Sequence, residues 1–261
     1  MSTLHITTIQ SILHWEDKEA NLLMFTDKIN SLQQPTHVVV LPEMFTTGFS
    51  MNTSLAETMD GATIQWMRTI AQQKKVIVTG SVMIQEDDCY YNRLIWMQPN
   101  GQLGYYNKRH LFGFGKEDAH YKAGNSKLIT QVNGFKINVQ ICYDLRFPVW
   151  ARQSNASDSK YDVLLYVANW PQKRSHAWKT LLTARAIENQ CYVVGVNRVG
   201  NDGNKIYHSG NTMVVDALGE ILYHEADKEA IHTITLQKET LDAVRQQFPF
   251  LKDADDFNIL V

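Results

Sequence analysis

The stretch VQICYDLRFPVW, Val139–Trp150, joins an apolar run to a dense cluster of polar and aromatic residues. The apolar run predicts a buried strand that carries Cys142 to its last position, and Tyr143, Asp144 and Arg146 follow at once. One interpretation makes Cys142 part of the core, because a free cysteine behaves as a small hydrophobic residue. The other places a nucleophile at the end of a strand, at the mouth of a pocket.

Composition limits the possible functions of the chain. It has 261 residues, of which 44% are hydrophobic and 20% are charged, a balance that is typical of globular proteins. No low-complexity linker interrupts it, so we expect a single domain over residues 1–261. A formal net charge of -2 argues against nucleic acid as a partner. No apolar run is long enough to predict a membrane span, and the start, MSTLHITTIQ, does not resemble a secretory signal, so we expect the protein in the cytoplasm.

The three cysteines do not predict a disulfide framework or a metal site. Cys89, Cys142 and Cys191 are odd in number and far apart, and no CxxC or His/Cys group has the spacing of a zinc site. The spacing therefore does not imply a metal. Cys89 follows QEDD in an expected loop and is predicted to be exposed, whereas Cys191 opens an apolar run and is predicted to be buried.

Hydrophobic periodicity predicts an α/β protein. Strands are predicted from apolar and β-branched runs, and two of the hairpins are predicted around Pro99-Asn100-Gly101 and Asn133-Gly134. Helices are predicted at Glu19–Leu32, Thr63–Lys75 and residues 175–190, with a closing helix at 238–248. Several strands lack polar alternation, which indicates that both of their faces are buried. Two mixed sheets packed face to face with helices outside would explain this pattern.

Three polar residues stand at or just after predicted strands: Glu43 after VVVLP, Lys108 after LGYYN, and Cys142 after INVQI. If these strand ends meet, a carboxylate can take the thiol proton, and an ammonium can stabilise negative charge on sulfur and on a tetrahedral oxyanion. The backbone N–H of Tyr143 is a candidate second donor to that oxyanion. Each residue also has a structural interpretation: a core cysteine, a turn or capping glutamate, and a solvated loop lysine.

Longer motifs around these residues resemble a known family. LPEMFTTGF around Glu43, YNKRHLF around Lys108 and QICYDLRFP around Cys142 are similar, in content and in order, to the three signatures of the nitrilase superfamily of carbon–nitrogen hydrolases. LLYVANWP and residues 178–200 resemble the later core, so the resemblance extends from about Leu4 to Leu236. It implies a four-layer α-β-β-α sandwich, commonly paired as a homodimer. It also implies Cys142 as nucleophile, Glu43 as general base and then acid, and Lys108 as oxyanion stabiliser.

The resemblance also implies a second glutamate after the lysine motif. FGKEDAHYKAG offers Glu117, whose implied role is to orient Lys108 and polarise the amide. The alternatives are that Glu117 is an exposed loop charge, or that the adjacent Asp118 takes this position.

Within the superfamily, LPEMFTTGFSMN, CYDLRFPVWARQ and HSGNTMVVDALGE are similar to the ω-amidase branch. That resemblance implies hydrolysis of 2-oxo dicarboxylic acid monoamides such as 2-oxoglutaramate and 2-oxosuccinamate. The carboxylate of such a substrate needs a cation in the pocket. Arg146 is the candidate, because a guanidinium binds a carboxylate with two parallel bonds. The alternative is that Arg146 pairs with Asp144 or another buried acid.

Aromatic residues beside the motifs are candidates for the pocket wall. Phe45, Tyr143 and Trp170 are selected because they flank Glu43, Cys142 and a strand end; Phe49 and Phe112 are further candidates, and Asn169 is a candidate polar contact. The alternative for each of these aromatic residues is a position in the hydrophobic core.

Other functions remain open at this stage. The chain could be another nitrilase-like amidase or an N-carbamoyl amide hydrolase. His110 or His176 could pair with Cys142, as in a Cys–His hydrolase. The fold could also serve as a non-catalytic interaction module.

Overall fold

Two mixed β-sheets lie face to face between helices in the computed structural model, which describes residues 2–153 and 160–260. The strands are β1 (Thr3–Gln10), β2 (Val38–Val40), β3 (Ile77–Glu86), β4 (Cys89–Met97), β5 (Leu103–Asn107), β6 (Leu128–Val132), β7 (Phe135–Ile141), β8 (Val163–Ala168), β9 (Tyr192–Asn197), β10 (Val199–Asn201), β11 (Tyr207–Val215), β12 (Ile221–Ala226) and β13 (Ala230–Gln237). The helices are α1 (Lys18–Asn30), α2 (Ala62–Lys74), α3 (Pro148–Ala151), α4 (Ser175–Asn189) and α5 (Lys238–Gln247).

Both sheets combine parallel and antiparallel pairs. The first has the order β13-β1-β2-β3-β4-β5 and the second β10-β11-β9-β8-β7-β6, with β12 paired to β11. Parallel pairs join β1 to β2 and β2 to β3 in the first sheet, and β7 to β8 and β8 to β9 in the second. The predicted hairpin between β6 and β7 is confirmed: Asn133 and Gly134 both have positive φ, as a tight two-residue turn requires.

The strands of the sandwich bury both faces. Val38 and Val40 of β2 pack into the cluster between the sheets, together with Ile137 of β7. Val39, between them, faces the other way and joins Phe25 of α1 in a second cluster. Because successive side chains of a strand point to opposite faces, an all-apolar strand is what a buried layer requires.

Helices cover the outer faces. Helix α1 begins where the Asp17 side chain accepts a hydrogen bond from the Ala20 N–H, and it packs with α2 against the first sheet. Helix α4 packs on β9 and β11 of the second sheet. Trp178 and Leu182 lie so close to Gly195 of β9 that a Cβ there would be 2.6 Å from Leu182. The predicted α-β-β-α layering is confirmed.

Four strand ends carry the polar residues of interest. Glu43 follows β2, Lys108 follows β5, Cys142 follows β7 and Asn169 follows β8. Since β2 and β5 belong to one sheet and β7 and β8 to the other, the polar group forms where the two sheets meet at one edge of the sandwich. No helix in the described ranges is both long enough and apolar enough to cross a bilayer.

Candidate active site

Cys142 lies at a sharp change of backbone direction. It directly follows β7 and begins the short 3₁₀ segment Cys142–Arg146. Its φ is 44°, in the left-handed region that costs a non-glycine residue on the order of 1 kcal/mol. The side chain is 8% exposed and lines a cleft. The polar cluster after the apolar run is therefore a turn that brings the thiol to the end of the strand.

The ammonium of Lys108 is held between two buried carboxylates. Its Nζ donates to Glu43 Oε1 at 2.8 Å and to Glu117 Oε2 at 2.9 Å, and none of the three side chains is accessible to solvent. Glu117 also accepts the Phe112 backbone N–H at 2.6 Å. Charge-assisted bonds of this length in a buried site fix the lysine in one position.

Asn92 of β4 connects the two carboxylates. Its Nδ2 donates to Glu43 Oε1 at 2.8 Å and to Glu117 Oε1 at 3.0 Å. The Asn169 backbone N–H donates to Glu43 Oε2 at 2.8 Å, so both oxygens of Glu43 are occupied by donors. The sequence interpretation missed Asn92, although a signal existed: a small polar side chain beside the apolar run LIWM of a central strand needs a polar partner.

The protonation of the cluster follows from burial and from the neighbouring charges. Burial raises the pKa of the Cys142 thiol well above its usual range, and the neighbouring Glu43 raises it further against the influence of Lys108. Burial alone would lower the pKa of Lys108, but the carboxylates of Glu117 and Glu43 outweigh it and raise the pKa. The resting thiol is thus neutral beside a permanent ammonium, and it needs a base to become a nucleophile.

A cleft of about 890 Å³ opens beside the cluster and is lined by Cys142 and Lys108. Its walls combine polar and charged side chains with the aromatic residues Trp15, Phe49, Phe112, Phe114, Tyr143, Trp170 and Tyr207. The aromatic part of such walls lowers the local dielectric constant, which strengthens electrostatic interactions near the reacting groups.

Two arginines face this cleft. The Arg146 guanidinium lies over the Trp170 ring at 5.0 Å, and the Arg174 guanidinium lies over the Phe112 ring at 5.0 Å. Neither has an acidic ion-pair partner in the part of the chain that the structure describes. Asp144, the pairing partner considered for Arg146, accepts hydrogen bonds from other residues. Both guanidinium groups are therefore available to an anion in the cleft.

Comparison with known proteins agrees with this geometry. A family model described as carbon-nitrogen hydrolase matches residues 5–246. The chain belongs to the carbon–nitrogen hydrolase family. The resemblance to the nitrilase superfamily is confirmed, and the chain is accordingly an enzyme rather than a non-catalytic module.

Relatives of this carbon–nitrogen hydrolase include named amidases. It is 46% identical to the omega-amidase YafV of Yersinia enterocolitica, over 100% of both chains. It is 34% identical to the 2-oxoglutaramate amidase of Bacillus subtilis, over 83% of this chain and 84% of that protein. A CN-hydrolase superfamily protein of Xanthomonas campestris, solved with an arsenic adduct in its active site, is 42% identical, with a TM-score of 0.96 over 99% of this chain and 100% of that one.

Two of the three aromatic residues predicted from the sequence to form the pocket wall lie at the cleft. Tyr143 and Trp170 line it, together with Phe49 and Phe112. The prediction for Phe45 is wrong: its ring is fully buried and packs against Phe25 and Trp66, on the side of the first sheet that faces α1 and α2. Although Phe45 is only two residues after Glu43, the intervening turn sends its side chain to the opposite layer.

The structure also separates the remaining alternatives. Glu117 is buried against Lys108, whereas Asp118 is exposed. The His110 ring hydrogen-bonds Asp144 and stacks on Phe147, and His176 is exposed on α4. Because the His110 ring is bonded to Asp144 and His176 is exposed, the geometry does not support a Cys–His pair.

Proposed function

We propose that this carbon–nitrogen hydrolase is an ω-amidase. It would hydrolyse the terminal amide of 2-oxo dicarboxylic acid monoamides, such as 2-oxoglutaramate and 2-oxosuccinamate, to the acid and ammonia. The observation that carries the proposal is the Lys108 ammonium bonded to Glu43 at a cleft that Cys142 also lines, together with two arginines that have no acidic partner among the described residues. The names of the YafV and 2-oxoglutaramate amidase relatives support the same substrate class.

In the acylation half, Cys142 Sγ attacks the amide carbon and its proton passes to the Glu43 carboxylate. The oxyanion that forms is stabilised by the Lys108 ammonium and by the Tyr143 backbone N–H, which lies in the first turn of its 3₁₀ segment, where N–H groups lack a partner within the helix. As the carbon–nitrogen bond breaks, protonated Glu43 gives its proton to the leaving nitrogen and ammonia departs. A thioester on Cys142 remains.

In the deacylation half, Glu43 takes a proton from water while the water oxygen attacks the thioester carbon. Collapse of the second tetrahedral intermediate breaks the carbon–sulfur bond, and the proton returns from Glu43 to the thiolate. Glu117 does not touch the reacting atoms in these steps. It accepts from Lys108 Nζ at 2.9 and 3.1 Å, in addition to the bond from Nζ to Glu43, and so keeps the ammonium in place.

The two arginines would determine the substrate class. A 2-oxo acid monoamide carries its carboxylate at the end remote from the amide, so a cation is needed in the cleft at a distance from Cys142. Arg146 was selected from the sequence and Arg174 was not, yet both line the cleft. Each guanidinium is stacked on an aromatic ring, which orients it and reduces the entropy lost on binding an anion.

We further propose that the enzyme is a cytoplasmic homodimer that uses no metal or other cofactor. The three cysteines are free, as is usual in a reducing compartment. Ile187 of α4 and Leu218 and Ile221 at the β11–β12 turn are exposed close together, an apolar surface suited to a second copy. Light scattering during size-exclusion chromatography would measure the mass; a monomer at micromolar concentration would count against this assembly.

The central test is Cys142→Ala, with Cys89→Ala as the matched control. We expect Cys142→Ala to release ammonia from 2-oxoglutaramate at least about 10⁴-fold more slowly than the wild type, and Cys89→Ala to be unaffected. A panel of 2-oxosuccinamate, glutamine, asparagine, a nitrile and an N-carbamoyl amino acid would define the substrate class. Ammonia release by Cys142→Ala at the wild-type rate would refute the mechanism; preference for the N-carbamoyl compound would refute the ω-amidase proposal.

A further inference from the structure

A buried carboxylate outside the reacting cluster connects the nucleophile with the lysine. Asp144 is fully buried. Its Oδ2 accepts the Ile141 backbone N–H at 3.0 Å and the Tyr106 hydroxyl at 2.7 Å. Its Oδ1 accepts the His110 backbone N–H and the ring Nδ1, both at 2.9 Å. One side chain thus gathers donors from two separate parts of the chain.

These donors adjoin the catalytic residues. Ile141 directly precedes Cys142, and His110 is two residues after Lys108. The Tyr106 hydroxyl, which donates to Asp144, also accepts the Arg109 backbone N–H at 3.1 Å. Asp144 and Tyr106 therefore hold the backbone on the N-terminal side of the nucleophile and on the C-terminal side of the lysine.

Such a link is needed because the two residues come from different sheets. Lys108 follows β5 at the edge of the first sheet, and Cys142 follows β7 in the second. The hydrogen bonds within either sheet do not fix one sheet against the other. In addition, the φ of 44° at Cys142 is unfavourable and persists only if surrounding contacts hold it.

We infer that Asp144 is a positioning residue that sets the distance between Cys142 Sγ and Lys108 Nζ. The inference rests on the catalytic roles proposed for those two residues. A carboxylate is required here because its partners are donors: two backbone N–H groups, the Tyr106 hydroxyl and the His110 ring. The Tyr106 hydroxyl must donate to Asp144, because its oxygen already accepts from the Arg109 N–H and the Trp150 indole. An asparagine would direct an NH₂ group at one pair of these donors.

The test compares Asp144→Asn with Asp27→Asn, a matched change at an exposed position on α1. A displacement of about 1 Å at the reacting groups costs roughly 100-fold in rate, so we expect kcat for 2-oxoglutaramate to fall about 100-fold, with KM within about twofold of the wild type. Asp27→Asn should leave both unchanged. His110→Phe removes the ring bond but leaves the backbone N–H bond, and it should lower kcat only about 2- to 10-fold.

Alkylation by iodoacetamide, read by mass spectrometry at each cysteine, gives a second measurement that does not depend on the substrate. In Asp144→Asn we expect Cys142 to react at least about tenfold more slowly, because the thiol moves away from Lys108, which stabilises the thiolate, and from Glu43, the base that accepts its proton. Cys191, which is buried in the core, should remain unlabelled. If wild-type protein has no ω-amidase activity, the proposed function fails while this measurement still tests the role of Asp144.

The inference is overturned if Asp144→Asn keeps kcat and the alkylation rate of Cys142 within about threefold of the wild type. It is equally overturned if Cys191 becomes labelled together with the loss of activity, because the carboxylate would then support the whole core rather than the position of one thiol. Should Asp144→Asn fail to fold, Tyr106→Phe decides: it removes one donor to Oδ2, and an unchanged kcat would contradict the proposed link.

Discussion

Replacement of Glu117 by glutamine separates orientation of the lysine from the chemical step. Glu117 accepts from Lys108 Nζ at 2.9 and 3.1 Å, from the Phe112 N–H at 2.6 Å and from Asn92 Nδ2 at 3.0 Å. All of these partners are donors, so glutamine retains one suitable oxygen and directs its NH₂ group at a donor. The ammonium is then held by one carboxylate instead of two.

The magnitude follows from the bond that is lost. A hydrogen bond to a charged group is worth about 1.5–3 kcal/mol, and about 1.4 kcal/mol corresponds to a tenfold change in rate. We therefore expect Glu117→Gln to lower kcat roughly 10- to 100-fold in a coupled ammonia assay, with little change in KM, because Glu117 is not part of the proposed carboxylate site. The matched control is Asp118→Asn, the exposed neighbour. A kcat within about twofold of the wild type would refute the orienting role.

The stability of Glu117→Gln relative to the wild type should increase with pH. Burial raises the pKa of Glu117; the Lys108 ammonium opposes this rise and the Glu43 carboxylate adds to it. The folded state therefore binds this proton more tightly than the unfolded state, so the contribution of Glu117 to stability is present at low pH and is lost as pH rises through its folded pKa. Glutamine cannot ionise. The Tm of Glu117→Gln relative to wild type should thus increase as the pH rises above 4.5, the ordinary pKa of a glutamate. A constant or falling difference would contradict the sign of the shift.

Other substitutions test the cleft, the corrected core residue and the lysine segment. Arg174→Gln should raise KM for 2-oxoglutaramate about 10- to 100-fold and leave kinetics with a neutral aliphatic amide unchanged; an equal effect on both would exclude a carboxylate contact. Phe45→Leu should lower the free energy of unfolding, measured by urea denaturation, by about 1–2 kcal/mol without a change in KM. A raised KM would instead indicate that Phe45 contributes to the pocket. Gly124→Ala places a Cβ 2.3 Å from the Asn107 carbonyl oxygen. This substitution should lower the free energy of unfolding by about 1–3 kcal/mol and should also lower kcat. Gly104→Ala, whose Cβ meets only the flexible end of a leucine at 3.2 Å, is its control, and equal behaviour of the two would refute the clash.

Local patterns were sufficient for the secondary structure and for the reacting groups. The period of two in strands and the helical spacing of apolar residues are set by neighbouring positions, so most elements lie close to where periodicity predicts them; the short helix α3 and the separate strand β10 were not predicted. Glu43, Lys108 and Cys142 were found because each stands at the end of a strand within a motif. The structure brings these three side chains together, and their catalytic roles remain proposals.

Residues that act through distant partners were not predictable in this way. Asn92 touches Glu43 and Glu117 across 49 and 25 positions of sequence. Arg174 follows a proline turn in a stretch without periodicity, and only the packing of that turn brings it to the cleft. Phe45 shows the converse error, since closeness in sequence to Glu43 suggested a closeness in space that the turn removes.

The amino-acid sequence by itself determined the elements of this protein, the order of its motifs and the chemical groups available for catalysis, because these depend on interactions between near neighbours. Only the tertiary structure decided which strand ends meet, which face each side chain occupies, and that Asp144 spans the two sheets instead of pairing with Arg146. These contacts depend on the register and packing of two sheets. A shift of one residue in either sheet would exchange the inward and outward faces of a strand while leaving its hydrophobic pattern nearly unchanged.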